Sequence, residues 1–393
     1  MPSHQSSAAR VMGAFVLHAL TVATLISRLP EVQASLALSE GAFGLALLGT
    51  PTGVVTGSLL AARMVDRYGP RRLVIYGMPI SGGIAALALW PVNGVMLALM
   101  LFAFGLSFAS CNVAVNVEAD RFEAAEGRRI MSRCHGWWAV GFLVLTLATA
   151  GLIRAGVTPV QQAMTMTLLL AVLAPLIMHG HPVSLPRKKE TSGNRRFALP
   201  AKSTLLVGGF AFAAIILEGT SRNWAVIYVR DVFGPVEWVA AMALPAFVAT
   251  QTLGRFAGDT LVERFRDVAV ARALSIVLLA GVAVVAFAPG LIVAMVGFAL
   301  VGLGVSMSLP QALSASARLG DRPAAEGVAA FSTLSTMIAF LGPPLFGLSA
   351  QMLGLQAAFA LFLPLPLIAI VFARYLTEEA PVARPREDNA AAG

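Results

Sequence analysis

The sequence predicts an all-α polytopic membrane protein, with twelve transmembrane helices in two pseudo-symmetric six-helix bundles. Three observations predict it. First, 58% of the 393 residues are hydrophobic and 12% are charged, against roughly a quarter charged in an ordinary globular chain. Too little polar surface remains to cover a water-soluble particle of this length. Second, apolar stretches of spanning length occur twelve times, where a helix needs about 20 residues to cross the hydrocarbon. Third, the chain repeats itself at an offset of 197 positions, half its length.

The repeat is clearest around one charged turn. Residues 57–72 read G-S-L-L-A-A-R-M-V-D-R-Y-G-P-R-R, and a degenerate copy begins at Gly254 as G-R-F-A-G-D-T-L-V-E-R-F. Gly57 matches Gly254, Asp66 matches Glu263, Arg67 matches Arg264 and Tyr68 matches Phe265. Each copy closes an apolar span. A duplicated membrane domain with the same turn in each half has the layout of a carrier whose halves rock about a site between them.

In order, spans 1 to 6 are read near 11–29, 41–62, 73–92, 94–117, 132–152 and 160–180. Spans 7 to 12 are read near 203–228, 238–258, 268–288, 291–314, 327–350 and 356–375. All are too long and continuous for barrel strands, which alternate over about ten residues. Residues 1–10 form a polar segment with one Arg. The run after them is long enough to span and no small-residue cleavage site follows, so it is span 1 and not a signal peptide. The first bundle is expected over 11–180 and the second over 203–376. Between them, 181–202 is a basic loop with Pro, Gly and Ser. Residues 377–393, rich in Glu, Pro, Arg and Ala, are expected to form a disordered tail. Pro310 in span 10 and Gly342-Pro343-Pro344 in span 11 should bend their helices.

Lys and Arg stay on the cytoplasmic side of a membrane. With both termini cytoplasmic, Arg28, Arg154 and Arg230 fall outside, Arg222 lies within span 7, and every other basic residue falls inside. The net charge of +8 thus records topology. Nucleic-acid binding would need a basic face with groove-reading or aromatic elements, and none is present. Cys111 and Cys134 lie within spans 4 and 5, away from any oxidised extracellular bridge. There is no Cys/His cluster of metal-ligand spacing and no Walker sequence, so neither a metal nor another cofactor is expected. No nucleophile–base set can be assembled, which argues against an enzyme.

Glu218 is the sharpest single residue. It sits midway along span 7 in A-A-I-I-L-E-G-T-S-R-N-W. A carboxylate there costs about 2.5–3.5 kcal/mol on insertion scales, so it should face a cavity or a partner. Arg222 follows at the spacing of a same-face pair. This is either a site for proton coupling or a permanent bridge. At the repeat offset the pair corresponds to Thr21 and Leu25, and a purely architectural device would more often occur twice. In span 4, Asn112 and Asn116 share a face, and Ser306 and Gln311 lie on the matching span 10. Such groups either hydrogen-bond a polar solute or join helices. Glu118 is expected to close span 4 and His135 to open span 5 across a short turn, as a pH-sensitive pair or as an ordinary cap. His18 lies deep enough in span 1 to line a cavity. Trp137, Trp138, Trp224 and Trp238 suit an interfacial belt, with Trp224 also placed to stack on a ligand.

The turn Asp66-Arg67-Tyr68-Gly69-Pro70-Arg71-Arg72, preceded by Gly57, resembles the signature loop between helices 2 and 3 of the major facilitator superfamily. More narrowly, Asn116-Val117-Glu118, Cys134-His135-Gly136, Glu218-Gly219-Thr220-Ser221-Arg222-Asn223-Trp224 and Gly254-Arg255-Phe256 resemble the YbjJ-type branch of bacterial inner-membrane transporters. The chain is also similar to proteins implicated in uptake of inositol-type compounds. The branch pattern would place an acidic residue where this chain has Asn223. The resemblance implies two bundles around a cavity that opens alternately to each side. It also implies a gating role for the turn and its copy: Gly57, Asp66, Arg67, Gly69, Arg71 and Arg72, with Gly254, Arg255, Glu263 and Arg264.

The expectation is therefore a monomeric multi-pass protein of the bacterial inner membrane. Its partners would be a small polar solute such as a sugar or polyol, protons and the lipid bilayer. Efflux of a drug or metabolite is the alternative, weakened because span 5 reads G-W-W-A-V-G-F-L-V-L-T, without the Gly-Pro step of many drug antiporters. A non-transporting sensor or scaffold would be expected to carry a long signalling loop or tail.

Overall fold

The computed structural model describes residues 4–179, 201–318 and 323–376, and these contain no strand. In the first half α1 (His4–Ser35) is followed by α2 (Glu40–Leu47), α3 (Gly49–Tyr68), α4 (Pro70–Ala88), α5 (Gly94–Glu126), α6 (Met131–Arg154) and α7 (Pro159–Met178). The second half runs α8 (Lys202–Phe233), α9 (Glu237–Ala241), α10 (Ala243–Phe265), α11 (Asp267–Ala286), α12 (Leu291–Val305), α13 (Ser308–Ala317), α14 (Ala324–Leu353), α15 (Leu355–Leu361) and α16 (Pro364–Phe372). A helix lies at each of the twelve expected places, and ten helical stretches are long and apolar enough to cross a membrane. The other two, α4 and α10, are the helices that carry arginines of the repeated turn region. Almost all of the expected central loop and the whole tail lie outside the described residues.

Local chemistry sets the helix ends. Asn93 Oδ1 accepts from Met96 N at 2.9 Å to start α5, and Gly127 at φ 64° ends it. Thr158 and Gln161 form a reciprocal capping box at the start of α7, with Pro159 at its first position. Both devices satisfy amide groups that a helix start leaves free.

The duplication is written into the backbone. Gly69 has φ 77° and ψ 151°, and Arg266, at the repeat offset, has φ 67° and ψ 153°. That region is nearly closed to residues with a Cβ. Arg67 lies over the Tyr68 ring at 5.5 Å, and Arg264 over Phe265 at 5.3 Å. Gly49, Gly53 and Gly57 line one edge of α3, where a Cβ would strike the backbone of α5. Small residues let membrane helices approach this closely. Gly57 thus lies in a helix contact and not in the turn.

The halves differ at one point. The helix predicted to end near 117 runs on as α5 to Glu126, whereas its counterpart breaks at Ser306–Met307 into α12 and α13. Pro310 has no N–H, so the Ser306 carbonyl loses its helical donor. The break re-aims everything after it.

One end of the molecule is sealed across the two bundles. Backbone meets backbone between α2 and α14, where Gly44 faces Pro343 and Gly347 faces Glu40. Gln351 Oε1 accepts from Ser39 Oγ at 3.1 Å and Gly41 N at 3.2 Å. Arg230 of α8 donates to the Pro30 carbonyl at 2.8 Å and to Gln33 Oε1 at 2.7 Å on α1. Arg154 lies over the Trp238 ring at 5.2 Å. The opposite end, which carries the Asp66 and Glu263 turns, opens into a cavity.

Candidate functional site

The cavity has a volume of about 760 Å³ and is lined from both bundles. Phe15 and His18 come from α1, Phe108 and Asn112 from α5, and Arg133, His135 and Trp138 from α6. Across from them stand Thr252, Arg255 and Phe256 of α10, with Met307 and Pro310 at the helix break. The size falls within the range of small-molecule sites, roughly 300–1,000 Å³.

Beside it, Glu218, Arg222, Arg255 and Gln251 form one polar cluster between α8 and α10. Arg222 Nη2 lies 2.8 Å from Glu218 Oε1 and donates to Gln251 Oε1 at 3.0 Å. Arg255 Nη2 lies 3.6 Å from the same carboxylate oxygen, too far for a good hydrogen bond. Its Nε donates to the Ser306 carbonyl at 3.4 Å. Arg222 Nε and Gln251 Nε2 are buried and have no partner among the described residues. The cluster reaches the first bundle through Arg222, whose guanidinium lies 5.3 Å from the Phe142 ring centre. Phe142 stacks on Trp138, and Trp138 Nε1 donates to His18 Nδ1 at 3.1 Å. His18 Nε2 lies 3.3 Å from the Phe108 carbonyl, and its ring stacks on Phe108. With Nδ1 accepting and Nε2 donating, His18 ties α1, α5 and α6 together in its neutral form.

The structure gathers only part of the expected set. Glu218 and Arg222 pair as their spacing suggests. Asn112 and His18 line the cavity, and Asn116 Nδ2 donates to the Asn112 carbonyl at 2.8 Å. Three cavity expectations are corrected. Gln311 is buried and donates to the Asp267 carbonyl at 2.9 Å, because the break before α13 turns it toward α11. Ser306 is buried and its hydroxyl donates to its own helix at the Leu303 carbonyl. Trp224 is buried between Phe43 and Phe346, where the bundles meet, because α8 continues to Phe233. Trp138, read as interfacial, lines the cavity instead.

Glu118 and His135 are not joined. Glu118 is buried along α5, which does not end there, while His135 packs edge-on against Phe15 at 5.3 Å. Asp66 is exposed, as are Arg67, Arg72, Glu263 and Arg264, and Arg71 is half-buried. Gly254 packs against Ser306, and Arg255 lines the cavity two helical turns from Glu263, so neither belongs to the turn proper.

Sequence reasoning missed Gln251, Trp138 and the Arg230 seal. Gln251 stands four residues before Arg255, the same-face spacing used for Glu218 and Arg222. Arg230 was visible as a breach of the charge rule, as was Arg28, which is fully buried and bonded to Glu31 at 2.6 Å and Gln162 at 2.7 Å.

Comparison with known proteins agrees with this architecture. The chain is 30% identical over 352 residues to the uncharacterized transporter y4wD of Sinorhizobium fredii, covering 89% of this chain and 92% of that one. It is 26% identical to an uncharacterized MFS-type transporter of Yersinia pestis, covering 93% and 94%. A crystal structure of the nucleoside transporter NupG superposes with a TM-score of 0.79 at 12% identity, covering 94% of this chain and all of that one. The family model of the Major Facilitator Superfamily matches residues 11–333, and the chain belongs to that superfamily of membrane transporters.

Proposed function

We propose that the protein is a secondary active transporter that moves a small polar organic solute across the bacterial inner membrane by alternating access, coupled to protons. The observation that carries this reading is the Glu218–Arg222–Arg255 cluster, set beside a cavity that both bundles line and whose far end is sealed between them. With both termini cytoplasmic, the state described is open to the cytoplasm. The moving bodies are residues 11–180 and 203–376. The motifs around Asn116, His135, Glu218 and Arg255 support membership of the YbjJ-type branch.

The carboxylate is the natural coupling group. Its charged form resists occlusion in low dielectric, and its neutral form does not. Arg222 holds the charged form until a proton displaces it. In proteoliposomes, Glu218→Gln should keep substrate exchange and lose accumulation driven by a pH gradient. Accumulation at the parent level in this variant would overturn the coupling role. Phe15, Phe108, Phe256 and Met307 line the same cavity and favour a second reading, export of an amphipathic solute. Competition of transport by hydrophobic cations would support the second.

A further inference from the structure

The cavity walls carry charge of one sign. Arg133 and Arg255 line it, and among the described lining residues there is no carboxylate. Two acidic groups beside the lining are already engaged. Glu218 is held by Arg222 at 2.8 Å. Glu123 Oε1 accepts from the backbone N–H groups of Ile130 and Met131, at 2.7 Å for the latter. Arg255, by contrast, is poorly satisfied. One nitrogen reaches a carbonyl at 3.4 Å, another stops 3.6 Å from Glu218, and 34% of the side chain is exposed. A guanidinium placed this way presents a fork of donors matched to a carboxylate or phosphate. Phe15, Phe108 and Trp138 supply flat apolar walls for a ring.

We infer that the cavity takes an organic anion of about one ring in size, a carboxylate or a phosphate ester, with Arg255 as its principal binding residue. This rests on the transport reading above and narrows its substrate class from polar solutes to anionic ones. When the anion takes Arg255, Glu218 loses its weaker cationic neighbour and keeps Arg222 alone. Substrate binding and the state of the carboxylate are thereby linked through one side chain.

The test reads the sign of the cavity potential without knowing the substrate. In a Cys111→Ala, Cys134→Ala background, a single cysteine is placed at Asn112, and separately at Ser132 in case the first variant folds poorly. Reaction rates are measured with 2-sulfonatoethyl and 2-trimethylammonioethyl methanethiosulfonate, each corrected for its rate with a free thiol. The anionic reagent should be favoured by roughly ten-fold, and Arg255→Gln should bring the ratio toward parity. Parity or a cationic preference in the parent, or an unchanged ratio in Arg255→Gln, overturns the inference and leaves solute transport standing. Failure of both reagents to reach either cysteine removes the aqueous cavity, and the transport reading falls with it. Glucuronate and glucose 6-phosphate then compete as protecting solutes: slowing by the first identifies a carboxylate site, by the second a phosphate site. Slowing by glucose alone overturns the anion.

Discussion

Arg255 donates to the backbone carbonyl of Ser306, 3.4 Å away, the carbonyl that Pro310 deprives of a helical donor. The side chain that approaches Glu218 thus also reaches the break between α12 and α13, through a long bond. This ties the charge state of the cluster to the geometry of a wall of the cavity, two features that sequence spacing alone keeps apart.

Replacing Pro310 with Ala tests that tie. An N–H at 310 can satisfy Ser306 from within the helix, a bond worth about 0.5–1.5 kcal/mol net. Thermal stability in detergent should rise while the transport rate falls, because the wall loses its break and Arg255 its carbonyl. A variant with parent rate and parent stability would show the break to be incidental.

The shared turn geometry gives a stability prediction. Nothing lies within 4 Å of a Cβ added at Gly69, so Gly69→Ala meets only the backbone penalty, about 1–3 kcal/mol. Its melting temperature should drop. Arg266→Gly should relieve the same strain with a smaller net gain, since glycine also gains freedom in the unfolded chain, about 0.5–1 kcal/mol, and the arginine's own contacts are lost with it. Equal stability of Gly69→Ala and the parent would contradict the conformation described at both turns.

Much of this architecture was legible because it depends on local pattern. Apolar run length gave the helix places, and the 197-residue offset foretold the paired turns that the backbone shows at Gly69 and Arg266. The spacing of Glu218 and Arg222 foretold their pairing. What failed was the aim of side chains beyond a helix irregularity or at a bundle contact. Gln311 and Ser306 shared a helix pattern with Asn112, and although Pro310 was legible as a bend, periodicity does not say where the residues around a bend will point. Trp224 was misplaced because its span was ended too early, and so was Glu118. Polar residues within a helix continue it as readily as they end it when the next turns leave the membrane.

Asp66 is exposed in this state, and we propose that it acts in another. It lies at the open end, and among the described residues no hydrogen bond or ion pair holds it. A charge cluster made in one state and broken in the other is what a bistable gate requires. A receiving segment for this turn is expected near the start of α14, from Arg318 to Glu326, and lies partly outside the described residues; Arg318 itself is bonded to Asp267 at 2.9 Å. Asp66→Asn should slow transport by roughly ten-fold, the effect of about 1.4 kcal/mol on a barrier. Expression and ligand affinity should hold. Parent transport rates in this variant would remove the turn from the gate.

Arg230 is the corresponding device at the sealed end. It spans the bundles with two short bonds, to Pro30 and Gln33, and its charge is partly offset by Asp231 at 2.6 Å. The side chain is 22% exposed, so screening reduces what these bonds contribute to the sealed state. About 1–2 kcal/mol is the expected share. Arg230→Ala should therefore shift the balance toward the state open at this end by roughly ten-fold, since each 1.4 kcal/mol changes an equilibrium by that factor. Asn223 lies behind this seal, in a small pocket between α1, α3, α8 and α14. A cysteine at 223, in a background lacking Cys111 and Cys134, should react faster with an impermeant thiol reagent added from the Arg230 side once Arg230 is removed. Gln33→Leu, which deletes one of the two acceptors and leaves the arginine, should give a smaller acceleration of the same sign. If labelling at 223 is unchanged in both variants, the seal rests on the other contacts between the bundles, and Arg230 only marks its edge.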